Sequence, residues 1–467
     1  MASGERRALG PQDDTAEVPD HHAPYKSTAT RGPSQAPIAV PQTVTELASV
    51  PTTLIDSLGG VEADLTRRHD GTPIGQRIRV SGHVLDELGQ PVAGAVIELW
   101  QTNAAGRYPH AGDDWDAPLD PNFTGMGRLV ADADGAYSFV TLRPGAYPWG
   151  NHENAWRPAH IHFAVFGEAF GARLMTQMYF PDDPLVALDP ILDAVPAGSR
   201  SRLIASFDLA TTTPAFALGY RFDLVLRGVH EVAAEGTHPQ TPAQTIGPFF
   251  HYAMPWHGGA DLVSGADWGA RPDLIPDGHD LLGQAGPPLA DRAPDVIEVT
   301  GRVLDASGDP VADALLEIWQ ADPEGHLPGE QPDGANRPFR GFGRCATNPD
   351  GTFRFRTLPP GPTTGPDGGV QAPHIAVVVF ARGVLNRLAT RIYFAGDPRN
   401  DADAVLAAVP EARRGTLLAS EEGPGVWRWD VRLQGALETA FLRCCSKRWR
   451  RFRRNARSLW RWTSRLR

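Results

Sequence analysis

Cysteine is scarce in this chain: three in 467 residues, Cys345, Cys444 and Cys445, two of them adjacent. Such a set builds neither a disulfide framework nor a structural zinc site, and it points to a reducing, cytoplasmic setting. Long apolar runs are missing as well. No stretch approaches the ~20 residues that cross a bilayer, and no apolar core of secretory-signal type stands near Met1. Basic charge is short over most of the chain. Of 44 Lys and Arg, 11 fall from Arg443 onward with no acid among them, which leaves 33 (44 − 11) against 55 acidic residues elsewhere. The body therefore lacks the footprint of a nucleic-acid binder. What is abundant is Gly (49) and Pro (43), punctuating short runs of Val, Ile, Leu and Phe. That texture predicts an all-β chain of antiparallel sandwiches with elaborate loops.

The chain repeats itself. Residues 80–95 match 299–314, Glu98-Leu99-Trp100-Gln101 matches Glu317-Ile318-Trp319-Gln320, and Tyr179-Phe180 matches Tyr393-Phe394. The repeat sets the expected organisation: an N-terminal arm over 1–74, partly disordered and loose over its first 20 residues; a sandwich over 75–229; a linker over 230–240; a second arm over 241–294; a second sandwich over 295–441; and a basic tail over 442–467. In the tail, Trp449, Phe452, Ala456, Leu459 and Trp460 recur at helical spacing among arginines. That spacing suits an acidic membrane surface or nucleic acid, with an extended reading frame as the competing explanation.

Residues shared by the two copies report mainly on fold. Residues confined to one copy are candidates for chemistry. In Trp156-Arg157-Pro158-Ala159-His160-Ile161-His162-Phe163, His160 and His162 alternate with apolar residues. On a strand both imidazoles leave one face, about 7 Å apart, within reach of a single metal ion. By itself His-x-His more often marks two hydrogen-bonded histidines on a polar strand face. The second copy keeps His374 for His160 but has Ala376 for His162, Leu327 for Tyr108 and Thr363 for Tyr147. Three losses at matched positions suggest one working metal site and one defunct copy. Two phenols with two imidazoles suit a hard, oxidised metal such as Fe(III). Zinc prefers Cys or carboxylate beside histidine, and the ferrous facial triad needs a carboxylate not evident here.

Four segments carry a resemblance: Trp100-Gln101-Thr102-Asn103-Ala104-Ala105-Gly106-Arg107-Tyr108, Pro144-Gly145-Ala146-Tyr147-Pro148-Trp149, the stretch Trp156 to His162, and Thr241-Pro242-Ala243-Gln244-Thr245-Ile246-Gly247-Pro248. Through them the chain resembles the protocatechuate 3,4-dioxygenase family of intradiol ring-cleaving enzymes. Its first half resembles the β subunit and its second half the α subunit, here joined in one chain. The resemblance implies two tandem prealbumin-like sandwiches with extended arms. It implies one Fe(III) per chain on Tyr108, Tyr147, His160 and His162, with Tyr147 displaceable and able to take a catechol proton. Arg157 would stabilise the activated ring. Tyr25, Trp100, Trp149, Gln177 and Ile191, with Thr245, Gly247, Pro248 and Arg382 from the second half, would bind substrate. The implied reaction is cleavage of protocatechuate by O2 to 3-carboxy-cis,cis-muconate, in a homo-oligomer. Phe249 stands where the family often has Tyr, removing a hydroxyl. The same chemistry on catechol or hydroxyquinol is the alternative reading, and a non-catalytic β-sandwich binding module is a further one.

Overall fold

The structure, a computed structural model, describes residues 8–48, 63–150, 156–230, 238–254, 259–263, 271–275, 296–327, 341–365 and 368–445. Strands dominate, and the described α-helices are four or five residues long. Among the described residues no helix is long and apolar enough to cross a membrane.

In the first half, an antiparallel sheet runs in the order Leu174–Tyr179, His160–Phe166, Val96–Trp100, Met126–Val130. A second sheet is built on Arg77–Asp86, flanked by Ala136–Leu142, Leu218–Arg221 and Leu224–Leu226. Arg77–Asp86 alternates strictly between buried and partly exposed, as a strand with one wet face must. Its Ile78, Val80 and Val84 meet Ile97, Leu99, Ile161, Phe163 and Val165 of the first sheet in one core. Leu65, assigned to the arm from sequence, belongs to this core too.

Val96–Trp100 and His160–Phe166 are buried on both faces. The reason is the second half. Val96, Ala164, Phe166 and Met175 share a core with Leu315, Trp319, Ala376, Val378 and Phe380. The two copies thus pack sheet against sheet. At that seam Glu98 and Glu317, both fully buried, face Arg344, whose Nη2 lies 2.8 and 2.6 Å from their oxygens, while Arg128 and Arg173 complete the charges. Burial works against the Glu98 carboxylate, but Arg344 and Arg128 outweigh it and hold its pKa at about 2.

The second half repeats the strand order around Phe342–Ala346, Ala314–Gln320, His374–Ala381 and Leu388–Phe394. Leu418–Gly423 pairs parallel to Leu388–Phe394 and merges the strands into one continuous sheet. The first half has only an isolated Tyr179–Ile204 bridge there and keeps two sheets.

The N-terminal arm departs from expectation. Residues 8–20, expected to be loose, are docked: Ala8–Leu9 pairs with Val229–His230, and Leu9 and Val18 are buried. Few but well-spaced apolar anchors and side-chain caps hold it, which polar composition alone conceals. Leu442–Cys445, placed in the tail from sequence, is a strand paired in parallel with Ile38–Pro41 of that arm. The helical pattern of the tail from Trp449 and most of the linker lie outside the described residues.

Candidate active site and metal centre

His160 and His162 open the strand His160–Phe166, and the alternation read from sequence holds: Ile161 and Phe163 face the core, and the imidazoles leave the other face. Their ring centroids are 4.9 Å apart. His160 Nδ1 hydrogen-bonds the Pro158 carbonyl at 2.8 Å, so Nε2 keeps its lone pair, 3.5 Å from Tyr108 Oη. Tyr108 ends the turn that follows Val96–Trp100. Asn103 Oδ1 closes this turn by accepting from the Ala105 and Arg107 amides, and Gly106 supplies the left-handed residue at φ +81°. The Tyr108 amide then donates to Asp113. Tyr147 sits on a two-residue strand directly opposite Arg157. Its ring is 5.6 Å from Tyr108 and 5.7 Å from His160. Four rings from three separate loops and strands therefore converge.

Their protonation follows from burial. Burial, and then the Arg157 charge, keeps both imidazoles neutral far below the usual histidine range. Burial lifts both phenols above their usual value, with Arg157 partly opposing it at Tyr147. Nδ1 of His162 is buried without a hydrogen-bond partner. Neutral imidazoles with free lone pairs, beside phenols that only a cation could ionise, form a donor set that fits a trivalent metal.

Around the four rings is a pocket of ≈ 490 Å³. Trp100 stacks on His162 at 4.6 Å. Trp149 forms another wall, with Arg157 5.3 Å above its ring and Tyr25 5.5 Å away. Ile191 lines the pocket from a short helix, Pro190–Asp193. Gln177, opposite His162 in register, takes a 2.7 Å hydrogen bond from Arg157 and donates to the Thr245 carbonyl. Thr245, Gly247 and Pro248 come from the second arm. Thr245 Oγ1 donates to Ala381 O, and a Cβ on Gly247 would stand 3.6 Å from His162. Phe249 packs 5.2 Å from Tyr108. Every site residue named from sequence except Gln177 and His160 directly lines this pocket, and those two buttress it.

Two placements refine the expectation. Tyr25 is buried, and its Oη accepts from the Gly383 amide at 2.8 Å. Arg382 reaches the pocket but is half-exposed and paired with Asp313 at 2.9 Å. Sequence reasoning missed Asp189, which meets Arg157 at 3.1 Å, and Tyr179 beside it. Both recur in the second copy as Asp403 and Tyr393; Tyr179 was matched to Tyr393 and so read as fold, and Asp189 was not singled out.

The matching place in the second half is filled. His374 Nδ1 bonds Ala372 O at 2.8 Å, as His160 does Pro158, but Nε2 is spent on Thr45 Oγ1 at 3.0 Å. Arg391 binds Thr43 and the Glu46 carboxylate of the same arm segment. Leu327 is core, and Thr363 pairs with Gln371 as Tyr147 pairs with Arg157. No second donor set exists among these residues.

The family profile described as Dioxygenase matches residues 53–228 and again 282–435, and that of the protocatechuate 3,4-dioxygenase beta subunit N terminal matches 19–43. The chain is 51% identical over 222 residues to the protocatechuate 3,4-dioxygenase beta chain of Burkholderia cepacia, spanning 47% of this chain and 94% of that one. It is 38% identical over 214 residues to the alpha chain from the same organism, spanning 44% and 98%. Hydroxyquinol 1,2-dioxygenase of Rhizobium sp. (strain MTP-10005) is 34% identical over 146 residues, 28% of this chain and 45% of that one.

Proposed function

The chain belongs to the dioxygenase family of intradiol ring-cleaving enzymes, as a beta-chain-like half followed by an alpha-chain-like half, and on that premise we propose that it cleaves protocatechuate with O2 to 3-carboxy-cis,cis-muconate. One observation carries this reading: Tyr108, Tyr147 and His162 of the first half, with His160 packed against all three, line a pocket whose far wall, Thr245 to Phe249, belongs to the second.

Tyr108, Tyr147, His160 and His162 would hold one Fe(III). Bound there, it supplies a Lewis acid that fixes a catechol as its dianion and drains charge from the ring. The chain does the rest. Tyr147 Oη, on the least buried of the four rings, would have given up its proton to let the metal be held and as phenolate would then take one from the incoming diol. Arg157, its cross-strand neighbour, presents a permanent positive charge to the electron-rich ring. Trp100, Trp149 and Ile191 exclude water and leave a flat slot for an aromatic substrate. Tyr25 and Arg382 meet the substrate carboxylate, which needs such partners if it is to leave water. In this reading Cys345 and Cys444, both unbridged, belong to a reducing cytoplasm, and the fused unit assembles with its own kind.

Oxygen uptake by the iron-loaded protein tests the proposal, with protocatechuate, catechol and hydroxyquinol compared side by side. The expected result is one O2 consumed per protocatechuate, with the carboxymuconate as product. Preference for hydroxyquinol or catechol would move the substrate and keep the chemistry. No uptake with any catechol by iron-loaded protein would refute the enzyme reading of this pocket.

A further inference from the structure

Arg157 does not reach the pocket unaided. Asp189 lies behind it, 1% exposed, with Oδ1 3.1 Å from Arg157 Nε and Oδ2 3.2 Å from Nη2. Tyr179, fully buried, donates from Oη to Asp189 Oδ2 at 2.8 Å and accepts from Arg157 Nη2 at 3.4 Å. Gln177 Oε1 takes the remaining short bond from Nη2. Asp189 is itself pinned, because Oδ1 also caps the helix Pro190–Asp193 through the Ile191 amide. Of the two contacts Nη2–Oδ2 has hydrogen-bond geometry, while Nε meets Oδ1 only as a close ion pair, so the carboxylate's charge as well as its bonding holds the guanidinium in place.

The silent copy keeps this scaffold and moves the arginine. Asp403 caps Ala404–Ala408 and accepts from Tyr393 Oη at 3.0 Å, as Asp189 does from Tyr179. The cross-strand pairing places Gln371 opposite Thr363, as Arg157 is opposite Tyr147, and Arg391 opposite Ala376, as Gln177 is opposite His162. Arginine and glutamine have traded places between the copies. From its position Arg391 turns to Glu46 and Thr43 of the arm.

We propose that Asp189, supported by Tyr179, is the positioning residue that aims Arg157 into the pocket, and that residue 157 is the only one of the two arginine positions from which this pair serves the reaction. The inference rests on the dioxygenase reading of the site. Without the Asp189 carboxylate, the buried guanidinium is drawn to the anions that remain. Tyr147, one of the four convergent rings, stands directly opposite it across the strand pair. A cation moved toward a metal-bound phenolate alters its charge-transfer absorption, which gives a readout that needs no turnover.

The test uses the full iron-loaded chain. Asp189→Asn keeps the volume and the cap to Ile191 but removes the charge. It should shift the visible band, leave iron content unchanged, lower the thermal midpoint as the loss of one partner of a buried pair does, and lower kcat by about 100-fold, the scale set by a misplacement of ~1 Å, with KM little changed. The double exchange Arg157→Gln with Gln177→Arg gives the first half the order of the silent copy, in which the arginine bonds Tyr393, Thr43 and Glu46. It should stay iron-loaded, yet turn over no faster than Arg157→Gln alone. An unshifted band with full kcat in Asp189→Asn, or recovered turnover in the double exchange, overturns the proposal. A shifted band in a protein whose parent consumes no O2 with any catechol would instead overturn the dioxygenase reading and leave the cradle standing.

Discussion

Metal uptake at the four-ring site should release protons in a number the structure defines. Both imidazoles are neutral at pH 7, since burial and then Arg157 hold them far below the usual range, so neither yields a proton. Both phenols are protonated, lifted by burial. Ionising even an unperturbed phenol at pH 7 costs ~4 kcal/mol at ~1.4 kcal/mol per pH unit. The pair therefore sets at least ~8 kcal/mol against binding, which only a strongly attracting cation offsets. Two released protons make the apparent affinity rise about 100-fold per pH unit below the phenol range. Tyr108→Phe or Tyr147→Phe should reduce that to about tenfold. A water that ionises on the metal steepens all three proteins alike, so the difference between them is the quantity to read. The assay is competition for Fe(III) against a chelator of known protonation at pH 6.5, 7.5 and 8.5, paired with calorimetry in buffers of different ionisation heat. Equal slopes in the parent and both phenylalanine variants would refute the reasoning, as would a colourless protein that takes up zinc in preference.

Three further outcomes are expected. Arg344→Met strips Glu98 and Glu317 of one of the two cations they share, Arg173 being the other, and should cost about 3–5 kcal/mol in denaturant unfolding; Glu98, with a folded pKa of about 2 against 4.5, adds stability in full above pH 4.5 and loses it as pH falls toward 2, so acid unfolding of the parent should steepen across that window, and a variant as stable as the parent would show the seam is not held by this network. Gly247→Ala forces a side chain into a φ of +73°, a strain of ~1–2 kcal/mol, and sets a methyl against His162, so KM should rise while iron content stays constant; an unchanged KM would show that the second arm does not close the pocket. Tyr25→Phe and Arg382→Ala should slow protocatechuate turnover more than catechol turnover, with the smaller effect at Arg382, which is half-exposed and shared with Asp313; equal losses on both substrates would assign the pair to structure.

Much of this was legible in the sequence because the chain carries its own control. Gly and Pro punctuation announced strands, and the duplication divided the chain in two. The contrast of Tyr108, Tyr147 and His162 with Leu327, Thr363 and Ala376 isolated three of the four rings that converge. The period-two alternation around His160 and His162 placed both imidazoles on one face, since strand geometry is local. Contacts between segments far apart in the chain were not legible. Polar composition made residues 8–20 look loose, because nothing in Leu9 or Val18 states that a groove awaits them. Tyr179 was hidden by the same repeat that exposed the phenols, and Asp189 was not singled out. They occur in both copies, and only the fold shows that one pair faces an arginine on the strand Trp156–Arg157 while the other has lost it to Arg391. Likewise, sequence showed that the second half lacks three of the four rings, but only tertiary structure showed Thr45 Oγ1 bonded to the remaining His374. The sequence by itself determined which rings stand apart from the repeat and the strands that bear them, through local periodicity and internal comparison. Which charges pair, which arm lines which pocket and which arginine meets Asp189 were decided by long-range packing, where buried polar groups must find partners wherever the chain can supply them.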